Sequence, residues 1–286
     1  MSWEPAALSG RARVAAVIGW PVAHSLSPRL HGYWLRHHRI DGAYVPLAVH
    51  PDHIAAALAA LPKLGFAGAN VTLPHKVAAL TAAARVSRRA ARIGAANTLV
   101  VATDGCIEAD NTDAFGFLAH LAASLPAWRA AAAPAVVVGA GGAARAIVDA
   151  LVEAGCREVR VVNRTDARAE ALAAAFGPPV RPLPWRERAA SQAGAGLLVN
   201  TTTQGMAGQP PLDLDLAHLP VAAAVADIVY TPLETPLLAR ARGRGHPVVD
   251  GIGMLLHQAR PGFAAWFGIE PAVTPALRAF VLAGLT

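Results

Sequence analysis

The run Val136-Val137-Val138-Gly139-Ala140-Gly141-Gly142-Ala143-Ala144, leading into an apolar-periodic stretch over residues 145–154, constrains this chain more than any other segment. A β-branched run that stops on glycines and turns into a helical pattern is strand, tight turn and helix. That is the order a dinucleotide-binding βαβ unit requires. Gly139 permits the turn, Gly141 lets backbone approach a pyrophosphate, and Ala144 lets the helix pack close to the strand. With Ala140, Gly142 and Ala143 they form a loop whose N–H groups, at the positive end of a helix, suit phosphates. A lone glycine pattern says little. Here a second candidate strand over residues 158–162 follows at the right distance and ends in Asn163-Arg164-Thr165.

That ending bears on the cofactor. An NAD site places Asp or Glu about 20 residues after the glycines to take the ribose 2′-hydroxyl, whereas an arginine accommodates a 2′-phosphate. The chain offers Asn163, Arg164 and Thr165 there, with Arg168 four positions beyond Arg164. A guanidinium matches phosphate bidentately and stacks on adenine. Asp166 dissents, being placed to reach a hydroxyl instead, so NADP is favoured and dual use stays open.

The rest of the chain alternates short apolar runs with Ala/Leu-rich stretches of helical period. The spacing predicts strands at 14–18, 44–47, 68–71, 98–102, 135–138, 158–162, 196–199, 221–226 and 247–249. It predicts helices at 28–38, 51–61, 114–124, 142–154, 168–176, 254–267 and 274–282. Strands separated by helices imply parallel pairing and an α/β fold. A break near residues 111–134, ending in an Ala/Pro connection, divides the chain into two α/β lobes.

Composition narrows the function. The chain has 286 residues, of which 54% are hydrophobic and 15% charged, which excludes global disorder. The formal charge of +6 is scattered, with no Lys/Arg block interleaved with aromatics, so small phosphorylated or carboxylated partners fit better than nucleic acid. Two cysteines, Cys106 and Cys156, make neither a disulfide framework nor a metal knuckle, and no metal site is expected. A reduced, cytoplasmic setting follows as the default. Apolar runs all stop short of the roughly 18–20 residues a membrane-spanning helix needs. The apolar run at 14–23 is interrupted by Gly19, Trp20 and Pro21, unlike a signal peptide.

Polar side chains gather at the ends of the first-lobe strands. Ser25 and Ser27 precede a helix that has Pro28 in its first turn, and Ser27 reads as its cap. Two hydroxyls at a helix start suit a carboxylate, although they also suit simple capping. Asn70-Val71-Thr72-Leu73-Pro74-His75-Lys76 repeats the arrangement, and Lys76 taken alone is an ordinary solvated charge. Gly94-Ala95-Ala96-Asn97-Thr98 and Asn111-Thr112-Asp113 add amides and a carboxylate at strand ends, where open α/β sheets gather ligands.

Together these blocks resemble the shikimate dehydrogenase family, cytoplasmic enzymes of chorismate and aromatic amino acid biosynthesis that reduce 3-dehydroshikimate to shikimate with NADPH. The resemblance runs from Gly19 to about Gln258. Besides the segments above it includes Asp227-Ile228-Val229-Tyr230 and Asp250-Gly251-Ile252-Gly253-Met254. It implies a substrate-binding domain of residues 1–113 plus 252–286, to which the C-terminal helices return, and a Rossmann-type NADP-binding domain of residues 114–251.

The resemblance further implies that Lys76 and Asp113 act as the proton-handling pair. Ser25 and Ser27 would take the ring carboxylate, and Thr72, Asn97 and Gln258 the ring hydroxyls. Tyr230 would contact substrate from the cofactor side, with Gly251 and Met254 near the nicotinamide. Gly32 and Ala114 stand where the family usually has asparagine and glycine, and neither change removes a chemical group. Quinate or aminoshikimate dehydrogenases of the same family are the alternatives. The threonine-for-serine change that usually marks quinate use is absent, and nothing excludes aminoshikimate. A non-catalytic nucleotide-sensing relative is a further alternative, against which retention of Lys76 and Asp113 argues. A homodimer is left open.

Overall fold

The computed structural model describes residues 7–285. The chain folds as two units, Met1–Thr112 with Gln258–Thr286, and Asp113–His257.

The first unit opens with β1 (Arg13–Gly19), whose last five residues are all buried. A strand apolar on both faces belongs in the middle of a covered sheet. It lies there, between β2 (Gly42–Ala48) and β3 (Phe66–Val71), parallel to both. Between these strands run α1 (Ser27–His37) and α2 (Ile54–Ala60), and after β3 come α3 (Lys76–Ala82), β4 (Arg85–Val86) and α4 (Arg88–Ile93). The hairpin β5 (Thr98–Val101) and β6 (Ile107–Asp110) closes the sheet in the order β2-β1-β3-β5-β6-β4. Its core is built from Ile18, Leu58, Leu61, Val71 and Leu99.

Parallel pairing holds for only part of this sheet. β3–β5 and β5–β6 are antiparallel. The cause is local: β5 and β6 are joined through Asp104-Gly105, with Gly105 at φ 80°. So short a link joins only antiparallel neighbours, since a parallel pair needs a crossover of a dozen or more residues.

The second unit starts with α5 (Asp113–Ser124) and continues through β7 (Ala135–Val138), α6 (Gly142–Glu153), β8 (Val159–Val162), α7 (Asp166–Phe176) and β9 (Val180–Leu183). β10 (Leu197–Asn200), β11 (Ala224–Asp227), α8 (Pro236–Gly243) and β12 (Val248–Val249) complete it. All its strand pairs are parallel, in the order β12-β11-β10-β7-β8-β9. The chain order therefore reverses between β7 and β10, the crevice where doubly wound sheets bind ligands outside the strands' carboxyl ends. Val136, Val138, Val162, Leu198 and Val225 form the core with Leu237 and Leu238 of α8.

The helix α9 (Gly251–Phe267) begins in the second unit, and from Gln258 on its residues belong to the first, as does α10 (Pro275–Leu282). Three bonds fix this return. Trp266 Nε1 donates to the Leu99 carbonyl at 2.9 Å, Trp34 Nε1 to that of Ala272 at 3.1 Å, and Arg29 Nε to that of Phe280 at 2.6 Å. The expected α/β architecture, with C-terminal helices rejoining the first part of the chain, is the one observed. Among the described residues no helix is long and apolar enough to cross a membrane.

Candidate active site

Backbone hydrogen bonds draw the first unit's strand ends together. Thr72 N–H donates to the Ile18 carbonyl at 2.9 Å and Trp20 N–H to that of Leu73 at 3.1 Å, so the segments following β1 and β3 run side by side. Gly19 is required where they meet, because a Cβ there would lie 2.5 Å from Thr72 Cγ2. Lys76 is the first residue of α3, and its carbonyl accepts from Ala96 N–H at 2.9 Å. That bond sets Lys76 beside the segment carrying Asn97, whose own carbonyl accepts from Val71 N–H at 2.8 Å. Lys76, Thr72 and Ser25 are half-buried, while Ser27, Asn97 and Gln258 are buried.

The two amides meet. Asn97 Nδ2 donates to Gln258 Oε1 at 3.2 Å. Asn97 Oδ1 accepts from the Thr112 N–H at 2.8 Å and from the hydroxyls of Thr98 and Thr112 at 3.0 and 3.2 Å. Thr112 directly precedes Asp113, which opens α5 and is itself buried.

Ser27 is not the cap expected for α1. The helix begins at Ser27 itself, Leu26 stands at the cap position, and no side chain caps the helix. Ser25 Oγ instead accepts from Ser27 N–H at 3.3 Å.

In the second unit, Gly139 (φ 114°) follows β7 at the point of strand reversal, and a Cβ there would lie 2.5 Å from Thr201 Oγ1 just beyond β10. Ala140 completes the turn. Gly141 and Gly142 face open space with no atom within 4 Å of an added Cβ, and Gly141 heads α6 without a side-chain cap. Ala143 and Ala144 follow in the helix, and Ala144 is fully buried, giving close helix–strand packing. An uncapped helix start with an open glycine cradle is what a pyrophosphate needs, so the loop fits a dinucleotide.

Beyond β8, Asn163 Nδ2 donates to the Thr165 carbonyl at 2.8 Å, and Arg164, Thr165 and Arg168 are exposed. Asp166, the residue that favoured NAD, accepts from Trp185 N–H at 3.0 Å through Oδ1. Its carboxylate thus ties the start of α7 to the turn after β9.

The start of α9 packs tightly within the same unit. A Cβ on Gly251 would come within 2.3 Å of the Ile228 carbonyl oxygen and 2.6 Å of that of Val229. Only a glycine lets α9 begin against the segment that leads to Tyr230. Tyr230 and Met254 are half-buried, and burial raises the Tyr230 phenol's pKa. Gly253 lies against His120, whose Nε2 is 3.4 Å from Asp250 Oδ1.

The sequence reading assigned no role to Tyr44, Asn70, Thr98 or Thr112, although the last three lie inside the quoted blocks. Their signal was polarity at strand ends in otherwise apolar surroundings. Asp227 is another such residue. Burial pushes its carboxyl up to about 6 despite bonds from Thr235, Val229 and Asn200.

Two family descriptions match the chain: the shikimate dehydrogenase substrate binding domain over residues 17–99, and shikimate/quinate 5-dehydrogenase over residues 121–203. A shikimate dehydrogenase (NADP(+)) of Rhodospirillum rubrum is 61% identical over 279 residues, covering 96% of this chain and 99% of that protein. Among solved structures, a Thermus thermophilus shikimate 5-dehydrogenase in complex with NADP(H) and shikimate aligns with TM-score 0.84 and 38% identity, over 95% of this chain and 99% of that one. A Corynebacterium glutamicum quinate dehydrogenase in complex with NAD aligns with TM-score 0.88 and 32% identity, again over 95% and 99%. Matches of this identity, running nearly the full length of both partners, make this chain a member of the shikimate dehydrogenase family.

Proposed function

We propose that this chain is an NADP-dependent oxidoreductase that reversibly reduces 3-dehydroshikimate to shikimate, in the biosynthesis of chorismate and the aromatic amino acids. The observation that carries the reading is the buried Asn97–Gln258 pair, tied through the Ala96 N–H bond to the backbone of Lys76. It sets two amides for sugar-like hydroxyls beside a lysine suited to proton transfer.

The glycine cradle Gly139-Ala140-Gly141-Gly142-Ala143 holds the cofactor's pyrophosphate. Asn163, Arg164, Thr165 and Arg168 take its adenosine end, and Gly251 and Met254 border the nicotinamide. NADPH, when bound, supplies the hydride. The residues of the chain supply the rest. Reduction leaves negative charge on the former ketone oxygen; Lys76 Nζ donates a proton to that oxygen and recovers it in the reverse direction. Asp113 orients the Lys76 ammonium and hydrogen-bonds the same oxygen. Ser25 and Ser27 donate to the ring carboxylate, while Thr72, Asn97 and Gln258 bind the ring hydroxyls and Tyr230 adds a further contact. Several buried polar contacts give steep selectivity, because a wrong ligand leaves donors and acceptors unpaired.

Curated relatives more than 50% identical carry the NADP-dependent shikimate name, which favours this substrate over quinate. The reading extends to a cytoplasmic setting, in keeping with the free thiols Cys106 and Cys156. It extends also to a homodimer, which light scattering at working concentration tests.

The primary experiment follows reduced-nicotinamide absorbance with purified protein, shikimate against quinate and NADP against NAD. Reduction of NADP by shikimate alone supports the reading in full. Turnover with quinate or NAD moves the protein to the broader relatives, and no turnover with any pair rejects it.

A further inference from the structure

One buried side chain that the proposed chemistry does not use stands at the root of the substrate-binding amides. Tyr44, in β2, is buried, and its ring lies flat on the imidazole of His31, with centroids 3.9 Å apart and planes 7° from parallel. Trp34, Phe263 and Trp266 surround that imidazole at 5.7–5.8 Å. Burial lowers the His31 pKa to about 3, so the ring is neutral at working pH, and Asn70 is the polar group facing it. The stack therefore clamps the phenol without charge.

From the phenol a hydrogen-bond chain runs towards Gln258, and elementary valence fixes its direction. Asn70 Nδ2 reaches the Asn97 backbone carbonyl at 3.2 Å; a carbonyl only accepts, so that end of Asn70 is its NH₂. Asn70 Oδ1, 2.6 Å from Tyr44 Oη, is then an acceptor, and the phenol must donate to it. Burial holds that phenol protonated, as the role demands. Asn70 Nδ2 also donates to Thr98 Oγ1 at 3.3 Å, and Thr98 lies 3.0 Å from both Asn97 Oδ1 and Thr112 Oγ1. The second anchor is the Thr112 N–H, which only donates and therefore makes its partner the Asn97 oxygen. Asn97 Nδ2 must then be the donor to Gln258, whose contacting atom is Oε1. The carbonyl ends of both amides are thereby turned onto threonines or each other.

We propose that Tyr44 is a positioning residue for substrate recognition: acting through Asn70 and Thr98, it fixes which way the amides of Asn97 and Gln258 face, and so which ring groups of a ligand they match. This rests on the assignment of Asn97 and Gln258 to the substrate. A buried chain of this kind holds its polarity because reversing one amide strands a donor on a donor.

The test is steady-state kinetics on purified Tyr44→Phe, Thr98→Val and Thr98→Ser beside the parent. Tyr44→Phe keeps the ring on His31 and removes only the hydroxyl, leaving Asn70 Oδ1 buried without its donor. The expected result is a KM for shikimate raised about tenfold or more, with the KM for NADP unchanged and kcat within a few-fold. Thr98→Val should behave alike, and Thr98→Ser, which restores a hydroxyl, should return towards the parent. A purely structural role would move both KM values and show no rescue. Parental shikimate KM in Tyr44→Phe and Thr98→Val, with an active parent, overturns the positioning role and leaves the functional reading standing. A parent that does not turn shikimate over overturns that reading, and this inference with it. Should Tyr44→Phe fail to fold, the Thr98 pair decides alone.

Discussion

Replacing Gly68 by alanine is the sharpest test of how the first unit is built. Gly68 lies in β3, and an added Cβ would sit 2.1 Å from the Leu99 carbonyl oxygen and 2.2 Å from Trp266 Nε1. These two atoms are the acceptor and donor of one bond, 2.9 Å long, whose tryptophan is 0% exposed. The methyl would therefore be driven between them. Leu99 has little room to retreat, because β5 is held to β3 by the register Gly68↔Val100, Ala69↔Leu99 and Asn70↔Thr98. Rotating Trp266 instead leaves its indole N–H buried and unpaired. Overpacking costs about 1–3 kcal/mol, and a stranded buried donor about 1–3 kcal/mol more. The sum, about 2–6 kcal/mol, is a large fraction of a stability of roughly 5–15 kcal/mol. With an unfolding entropy of about 0.3 kcal/mol per degree for a unit of this size, Tm should fall by about 7–20 °C. Circular dichroism and tryptophan fluorescence on heating would read it. Gly10→Ala, where nothing lies within 4 Å of the new methyl, is the control and should shift Tm little. A Gly68→Ala protein melting within about 2 °C of the parent, well below the shift expected from this ΔΔG, would refute the claim that this contact cannot yield.

Three further changes address chemistry and pH. Lys76→Ala should lower kcat by about 10²–10⁴ with the shikimate KM changed a few-fold at most; unchanged turnover in the absorbance assay removes Lys76 from the proton step. Arg164→Ala should weaken NADP binding by about 10–100-fold and NAD binding much less; equal losses by fluorescence titration would mean that Arg164 does not meet the 2′-phosphate. Asp227 is an acid whose folded pKa, about 6, lies above its ordinary 3.8. Its contribution to stability is therefore fully present below about pH 4 and is lost as pH rises through about 6, by about 3 kcal/mol. Melting curves of the parent and Asp227→Asn between about pH 4 and 6.5 should converge at the acid end and separate at the upper end, with the asparagine variant the more stable there. Parallel curves would reject the assignment.

How far the sequence revealed this fold depended on whether an element's pattern was decided inside the element. β7 occupies the expected residues 135–138 because four apolar residues between Pro134 and a glycine turn admit no other ends. α3 and α4, seven and six residues long, escaped notice because a helix of two turns shows too little periodicity to separate from a loop. β9, Val-Arg-Pro-Leu, was hidden by Pro182, which argues against a strand until one knows that β9 is an edge. α8 was legible but passed over: Thr235 caps it by accepting from Leu238 N–H at 3.3 Å, and Pro236 opens its first turn. β6 was missed for want of its partner, and with it the antiparallel half of the first sheet.

The candidate site divides along the same line. The glycines after β7 could be picked out because local chain geometry explains why those residue types stand there, whereas Lys76, an ordinary charge taken alone, drew its role only from the resemblance carried by its block. Tyr44 could not be picked out. Its neighbours along the chain are Ala43 and Val45, and as a lone aromatic in a strand it reads as core. What gives it a role is the meeting of β2 with β3 through β1, which sets its hydroxyl 2.6 Å from Asn70, and a helix returning from residue 258 to present Gln258 to Asn97. Partners 26 and 161 residues apart leave no period in a sequence. A block pattern can therefore reveal candidate groups for a ligand, while the groups proposed to decide which way those amides face emerge only when donors and acceptors are matched in three dimensions.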